Sequence, residues 1–142
     1  MVHALYEAHR VLKPTGVLLD LRPTATHRRV GLGKGVSWQS VGVMRERFDD
    51  DRAADHAVAQ VLRDGLYQRQ SQTRFDLDRV MDTMEDFRTW LNEFVQMGNL
   101  ASHESLIKRV EAAKNKQRAQ TKITVRGPLK LGVMKKIEKL IS

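Results

Sequence analysis

The apolar pattern of residues 1–23 predicts a helix, a turn and a strand. The helix is expected over residues 2–12, where apolar side chains recur at helical spacing at Leu5, Ala8, Val11 and Leu12. Lys13-Pro14 ends it, because the residue before a proline disfavours the helical conformation. The nearly continuous apolar run that follows is typical of a strand buried on both faces of a parallel sheet, and it comprises Val17, Leu18, Leu19, Asp20 and Leu21.

Residues 24–47 are predicted to form a loop and a hairpin. Residues 24–35 are polar, basic and contain glycine, which favours a loop or the first arm of the hairpin. Residues 36–47 hold enough β-branched and aromatic side chains to predict a strand.

Residues 48–142 are predicted to combine helices with antiparallel strands. Three aspartates open a helix over residues 50–64, Gly65 ends it, and an extended segment follows over residues 66–81. The apolar anchors of that segment are Tyr67, Phe75, Leu77 and Val80. Two further helices are expected, one over residues 83–97 with Asp82-Thr83 as its N-cap and one from Ser102 to about residue 117.

The last apolar pattern, over residues 121–135, alternates apolar with basic side chains. This alternation predicts a half-exposed antiparallel strand or hairpin, with Gly127-Pro128 as a bulge or turn. Together the three segments (1–23, 24–47 and 48–142) are expected to form one partial domain spanning residues 1–142.

The composition indicates a soluble globular chain. It has 142 residues, of which 41% are hydrophobic and 30% charged, and its longest apolar run is far shorter than the roughly 20 residues of a membrane span. Because the first residues lack the apolar core of a signal peptide, a cytoplasmic location without membrane association is expected. There is no cysteine, and the five histidines are scattered rather than set at metal-ligand spacing, so no metal site is expected.

The net charge of +8 is distributed unevenly along the chain. Residues 108–142 hold 11 Lys/Arg against 2 Asp/Glu, whereas the preceding 107 residues are nearly balanced. Such a run is more often a solvated face than a binding site. One alternative function is a small basic module that uses residues 108–139 for non-specific association with nucleic acid or protein. No aromatic residue follows Phe94, so base stacking is unsupported and nucleic-acid binding is expected to be absent or non-specific.

Residues 3–23, HALYEAHRVLKPTGVLLDLRP, resemble a segment of class I S-adenosylmethionine-dependent methyltransferases. In that family a helix ends in an Arg-Val-Leu-Lys-Pro-Gly-Gly-like turn that leads into the fifth strand of the sheet. Here the turn is Arg10-Val11-Leu12-Lys13-Pro14-Thr15-Gly16, with Thr15 at the position of the first glycine. Gly65-Leu66-Tyr67 resembles the entry to the sixth strand, and Asp82-Thr83-Met84-Glu85-Asp86-Phe87 resembles the start of the next helix. The resemblance covers the whole chain but only the second half of the family's domain.

This resemblance implies a partial Rossmann-like α/β sheet, in which one parallel strand is joined by antiparallel strands and flanked by helices. It also implies descent from enzymes that transfer a methyl group from S-adenosylmethionine to an acceptor, which stays unknown. The family binds its cofactor with an acidic-Gly-x-Gly-x-Gly loop and an acidic ribose ligand, both from the first half of the domain. No cofactor is therefore expected for this chain alone, which would be a truncated piece, a fragment or a degenerate homologue used for association.

One glycine-rich segment superficially matches the cofactor loop. Gly31-Leu32-Gly33-Lys34-Gly35 has the spacing but lacks the acidic residue, and a predicted strand rather than a helix follows it. A cofactor loop needs a strand before it and a helix amino terminus after it. The tip of a hairpin is the better interpretation.

The candidate substrate-side residues are Asp20, Arg22, His27 and Trp38, and no catalytic residue is identified. Ligands of open α/β sheets bind beyond the carboxyl ends of the strands, and Asp20-Leu21-Arg22-Pro23 is such an end. Arg22 and His27 either face a substrate there or make ordinary structural contacts. Trp38 lies in a predicted strand beside a basic loop.

A homo-oligomer is expected from the strand that runs from Val17 to Leu21. Its parallel neighbour would come from the other half of the family's domain, and an unpaired strand edge invites pairing with another chain. The alternative is a monomer in which the hairpin of residues 24–47 covers that edge.

Overall fold

The computed structural model describes residues 1–98, 103–118 and 120–138 of the chain. This described part is an α/β structure with four α-helices and five strands. The helices are α1 (Val2–Val11), α2 (Asp49–Arg63), α3 (Met84–Gln96) and α4 (Glu104–Asn115). The strands are β1 (Val17–Pro23), β2 (Arg29–Leu32), β3 (Gln39–Val43), β4 (Tyr67–Met81) and β5 (Ile123–Lys136). The predicted helix start at Ser102 and Lys139, the last cation of the basic run, lie outside the described residues.

Local signals in the sequence explain where the helices begin and end. Three aspartates occupy the first turn of α2, where carboxylates interact favourably with the helix dipole. Gly65 follows α2 with a positive φ of 76°, which a glycine adopts at little cost, and its N–H donates to the carbonyl of Leu62. Before α3, the Thr83 hydroxyl accepts a hydrogen bond of 3.1 Å from the Asp86 N–H. The predicted cap at Asp82-Thr83 is thus confirmed, and Thr83 is the residue that forms it.

The chain divides into two compact units. The first unit comprises residues 1–25, 49–75 and 129–142. In it α1 packs against α2, and their apolar sides meet one face of the strands. The core of this unit consists of Leu5, Ala57, Val58, Val61, Leu66, Tyr67 and Met134. The buried Tyr67 hydroxyl donates a 2.8 Å hydrogen bond to the Leu5 carbonyl, which satisfies its polar end inside the core.

The second unit comprises residues 26–48 and 76–128. The β2–β3 hairpin pairs with the first residues of β5, and α4 packs on both hairpin strands. The core consists of Val30, Leu32, Met44, Met81, Phe87, Leu91, Leu106, Ile107, Val110, Ile123 and Val125. Trp90 and Phe94 of α3 are partly buried against this core, with ring centroids 4.7 Å apart, as expected for side chains on a helical stripe.

Strand β5 lies between β1 and β4. The Lys136 N–H donates to the carbonyl of Gly16, just before β1, and the next N–H, of Ile137, donates to Leu66, just before β4. Successive amides of a strand point to opposite sides, so the two partners flank β5. Both neighbours begin beside the end of β5 and are therefore antiparallel to it. The β1 register runs from Val17 opposite Lys135 to Pro23 opposite Leu129.

The burial of β1 differs from the prediction. The strand alternates between exposed and half-buried positions, and Leu19 is 64% exposed. Burial of β1 on both faces is thus wrong, because α1 and α2 cover only one of them. Every strand pairing in the described part is antiparallel, so the parallel neighbour expected for β1 is not found there. The Rossmann-like arrangement stays a prediction.

The predicted apolar anchors of β4 are also wrong in part. Tyr67 is buried, but Phe75, Leu77 and Val80 are 41–59% exposed. All residues of β4 between its two ends are exposed, so nothing covers the apolar side chains there and they form no core.

Pro128 lies inside β5, where a proline is unexpected because it has no N–H for strand pairing. The residues that pair with β2 end at Arg126, and those that pair with β1 begin at Leu129. Gly127-Pro128 therefore falls where β5 changes its neighbour on that side. The predicted bulge or turn at this dipeptide is instead part of one continuous strand.

Gly31 provides the first test of this packing. An added Cβ would lie 2.3 Å from the Gln39 carbonyl oxygen and 2.4 Å from Nε1 of Trp38. We expect Gly31→Ala to lower the free energy of unfolding by about 1–3 kcal/mol, because strand backbone and indole must move. Urea denaturation of the purified variant measures the change.

The matched control is Gly132→Ala, also within a strand. Its Cβ would meet Asp20 at 3.7 Å, an ordinary van der Waals contact. This variant should stay within about 1 kcal/mol of the wild type. Equal stability of the two variants would show that the indole does not pack against Gly31.

Candidate functional site

Two of the candidate residues, Asp20 and Arg22, meet at the carboxyl end of β1. Arg22 donates two hydrogen bonds to the Asp20 carboxylate, of 2.7 Å from Nε and 2.9 Å from Nη2. Its Nη1 donates a 2.6 Å bond to Oδ1 of Asp55 in α2, and Lys130 of β5 donates a 2.5 Å bond to the same oxygen. We refer to Asp20, Arg22, Asp55 and Lys130 as the ionic cluster; all four lie in the first unit.

The ionic cluster balances two cations with two carboxylates. Arg22 and Lys130 are directly opposite each other on neighbouring strands, where like charges repel. Their side chains are only 14% and 11% exposed, so water screens this repulsion poorly. Asp55 lies on α2 and hydrogen bonds to both cations, which joins the helix to the two strands.

The charges of the cluster shift the pKa values of its members. The Asp20 carboxylate, through its hydrogen bonds, raises the pKa of Arg22 above its ordinary value, and Asp55 adds to the effect against the cost of burial. Burial by itself would raise the pKa of Asp55, but hydrogen bonds from Lys130 and Arg22 outweigh it, so this pKa is lowered. Arg22 and Asp55 therefore stay charged near neutral pH, and their pair is suited to positioning rather than to proton transfer.

His27 belongs to the second unit and binds the backbone. Its Nδ1 accepts a 3.1 Å hydrogen bond from the Glu46 N–H, and its ring lies 4.8 Å from that of Phe48. The Glu46 side chain in turn binds the backbone N–H and the guanidinium of Arg28. These contacts fix the chain that runs from β3 towards α2, and they occupy the Nδ1 of His27.

Trp38, also in the second unit, packs flat over Gly31. Its Nε1 donates a 3.0 Å hydrogen bond to the Thr124 carbonyl. The guanidinium carbons of Arg126 and Arg29 lie 4.3 Å and 5.3 Å from the ring, within the range of cation–π attraction. The ring therefore lies against cations that face each other across the β2–β5 pair.

The arginines beside Trp38 also have carboxylate partners on β4. Arg126 forms two hydrogen bonds with Asp78, of 2.8 Å and 3.0 Å, which lower the pKa of Asp78. Arg29 lies 4.0 Å from Asp76. The indole, guanidinium groups and carboxylates thus form a layer. In it the indole N–H and the Arg126 guanidinium already have hydrogen-bond acceptors.

The structure therefore brings Asp20 and Arg22 together in the first unit, and gives His27 and Trp38 separate contacts in the second. The sequence analysis missed Asp55 and Lys130, the other two members of the ionic cluster. The sequence does contain one indication of these partners. Asp20 and Arg22 are two positions apart and so share one face of a strand, where further charged residues are expected beside them.

Two further observations concern the described residues. None of them forms a group of three or more His, Asp or Glu side chains that could hold a metal ion. None of the described helices has the length and apolar character needed to cross a membrane.

Comparison of the chain with known proteins gives no match to a protein family, to a curated protein or to a solved structure.

The ionic cluster predicts a specific dependence of stability on pH. Because the pKa of Asp55 is lower in the folded chain, the carboxylate stabilises the fold above its unfolded pKa of about 3.9. This contribution is lost as the pH falls through the folded value. Asp55→Asn should cost about 1–2 kcal/mol at pH 7, a modest figure because Asp55 is 36% exposed. The difference from wild type should shrink below about pH 4.

Urea denaturation at a series of pH values measures this difference. The control is Glu93→Gln, which removes an exposed carboxylate of α3 that has no ion pair in the described part of the chain. That variant should follow the wild type at every pH. A cost of Asp55→Asn that is the same at pH 3 and pH 7 would contradict the role given to the cluster.

Proposed function

We propose that residues 1–142 form the carboxy-terminal half of a class I S-adenosylmethionine-dependent methyltransferase-like domain. In this proposal the complete domain transfers a methyl group to an unknown acceptor, and the cofactor site lies outside these residues. A cytoplasmic location belongs to the same proposal. The observation that carries it is the position of β5, the last strand in the chain, between β1 and β4.

The order of elements supports the proposal. The resemblance implies a helix and turn into one strand, then a helix, a second strand, further helices and a last strand inserted antiparallel. The chain has α1, β1, α2, β4, α3, α4 and β5 in that order, with the β2–β3 hairpin added between β1 and α2. An inserted last strand is a more specific feature than the alternation of helices and strands, which many α/β proteins share.

The ionic cluster supports a positioning role for the end of β1. Asp20 and Arg22 are at the strand end where open α/β sheets bind ligands, but both are engaged within the cluster. We infer that they fix this end rather than contact the acceptor. Methyl transfer depends chiefly on proximity and orientation of the reactants, so a fixed edge serves it without a dedicated base.

The basic-module alternative receives less support. Three cations in β5 or just before it are paired with carboxylates: Lys122 with Asp82, Arg126 with Asp78 and Lys130 with Asp55. A fourth, Lys136, donates to the Leu12 carbonyl. Three of the eleven cations in residues 108–139 are thus neutralised by carboxylates within the fold, which leaves fewer cations for phosphates.

The proposal predicts that the 142-residue chain does not bind S-adenosylmethionine. The physical reason is that no acidic-Gly-x-Gly-x-Gly loop occurs in it, and that Gly33 and Gly35 lie in the β2–β3 hairpin connection. Calorimetric titration at micromolar chain concentration should give no binding heat, while a cooperative thermal transition in the same sample shows that the chain is folded.

A micromolar dissociation constant at one site per chain would contradict this assignment of the cofactor site. The DNA upstream of Met1 offers an independent test of the resemblance. An in-frame or adjacent acidic-Gly-x-Gly-x-Gly segment, co-expressed with residues 1–142, should restore cofactor binding. A folded complex of the two that still fails to bind the cofactor would overturn the methyltransferase proposal.

We also propose that the chain self-associates through the free edge of β1. In the described part of the chain β5 is the only strand that pairs with β1, and the β2–β3 hairpin pairs with β5. Val17, Leu19 and Leu21 are 47–64% exposed along one face of this edge strand. Unpaired, apolar edges favour pairing with another chain.

The edge strand β4 supports this choice by contrast. Its exposed residues are mostly polar and include Arg69, Arg74 and Arg79, and charged side chains are a usual protection of strand edges. The exposed face of β1 has no such charge before Pro23. A second copy that pairs β1 with β1 in antiparallel orientation would join the two apolar stretches.

Light scattering tests this association. The wild type should have twice the 16.3 kDa mass of one chain. Since Leu19 is exposed, Leu19→Lys should leave the fold intact but place like charges at the interface and yield monomers. The sequence pattern predicted that Leu19 is buried, and a lysine at a buried position would disrupt folding. The 64% exposure of Leu19 corrects this expectation.

Leu77→Lys is the matched control, because Leu77 is 59% exposed on β4. It should remain a dimer with the thermal transition of the wild type. A wild-type mass of 16.3 kDa with a cooperative thermal transition would rule out the association.

A further inference from the structure

A cleft of about 280 Å³ lies in the second unit, beside the end of β3 and the first turns of α4. Its lining consists of Val43, Arg45, Ser105, Leu106 and Arg109. Two arginines therefore line one small space, together with a serine. None of these residues belongs to the ionic cluster or to the contacts of Trp38.

The arginines of the cleft differ from three other arginines of the same unit, Arg28, Arg88 and Arg126. Each of these three binds a carboxylate. The side chains of Arg45 and Arg109 form no hydrogen bond or ion pair with any residue in the described ranges. The carboxylates adjacent in sequence have other partners: Glu46 binds Arg28, Glu111 binds Arg88, and Glu104 lies 3.7 Å from His103.

Packing on the hairpin explains why Arg109 lies at the cleft. An added Cβ on Gly42 of β3 would lie 2.7 Å from Cδ1 of Leu106 and 3.7 Å from Cδ of Arg109. The bare glycine thus lets α4 approach the strand, and the stem of Arg109 lies across it. The cation is placed by this close approach, although no carboxylate attracts it.

The amino end of α4 adds to the positive potential. This helix has 12 residues, and its N-cap, His103, makes no side-chain hydrogen bond to the first turn. Backbone N–H groups at a helix start are unpaired donors with a partial positive charge. Ser105 belongs to this first turn and lines the cleft.

We propose that this cleft binds the phosphoryl group of a small phosphomonoester. Two guanidinium groups match the oxygens of a phosphate in geometry and charge, and a hydroxyl and helix N–H groups complete the donors. A volume of about 280 Å³ is sufficient for the phosphoryl group and part of the rest of a small ligand. The proposal does not depend on methyl transfer.

Phenyl phosphate is the probe, titrated into the ¹⁵N-labelled full chain at low ionic strength. We expect saturable shifts of the backbone amide signals of Arg45, Ser105 and Arg109, with a dissociation constant on the order of 1 mM. Arg45→Gln should weaken binding about tenfold or more, because it removes a charge-assisted hydrogen bond. Arg109→Gln should act in the same way.

Lys116→Gln is the matched control, since it removes one positive charge just beyond the other end of α4. Binding should change by less than about twofold in this variant, because Lys116 is outside the cleft and its charge is screened. The thermal transitions of all variants establish that they are folded. Shifts that do not saturate, or equal losses in Lys116→Gln and Arg45→Gln, would overturn the proposal.

Discussion

The alternation of backbone hydrogen bonds along β5 is the constraint on which the remaining sheet depends. At the end of the strand the Lys136 N–H donates to Gly16 beside β1, and the next N–H, of Ile137, donates to Leu66 beside β4. A strand with neighbours on both sides fixes the register of each, and a one-residue slip would turn every side chain to the other face. Gly127-Pro128 fits this constraint, because the dipeptide falls where one neighbour ends and another begins.

The parts of the fold that the sequence predicted are those with local causes. Aspartates in the first turn of α2, Gly65 after it and Thr83 before α3 act on adjacent backbone, so their positions suffice. The ionic cluster has no such signal. Arg22 and Asp55 are 33 positions apart, and Lys130 follows Asp55 by 75, so only the packing of α2 on two strands joins them. The burial of β1 was predicted wrongly for a related reason. Four apolar residues and one aspartate in succession fit a strand with two buried faces as well as a strand with one.

The distribution of charge illustrates why composition predicts binding poorly. The last quarter of the chain is strongly basic, but the fold places some of its cations beside carboxylates, as with Arg126 and Asp78 of β4 and with Lys130 and Asp55 of α2. A salt bridge at the surface adds little stability, yet it removes a cation from the set available to a ligand. The charges that matter for binding are therefore those without partners, and Arg45 lies outside the basic run altogether.

Strand β1 inverts the usual distribution of side chains between core and solvent. Its charged residues, Asp20 and Arg22, point to the face covered by helices, whereas Leu19 and Leu21 point outward. Burying an ion pair costs desolvation that its mutual attraction barely offsets, and full burial of a leucine would contribute about 1.5–3 kcal/mol. Side-chain burial within its own unit therefore stabilises such a strand little. Contact of another surface with its exposed face would stabilise it more. The stability of β1 within its unit therefore rests mainly on its pairing with β5, and Leu19 and Leu21 contribute fully only when another surface meets them.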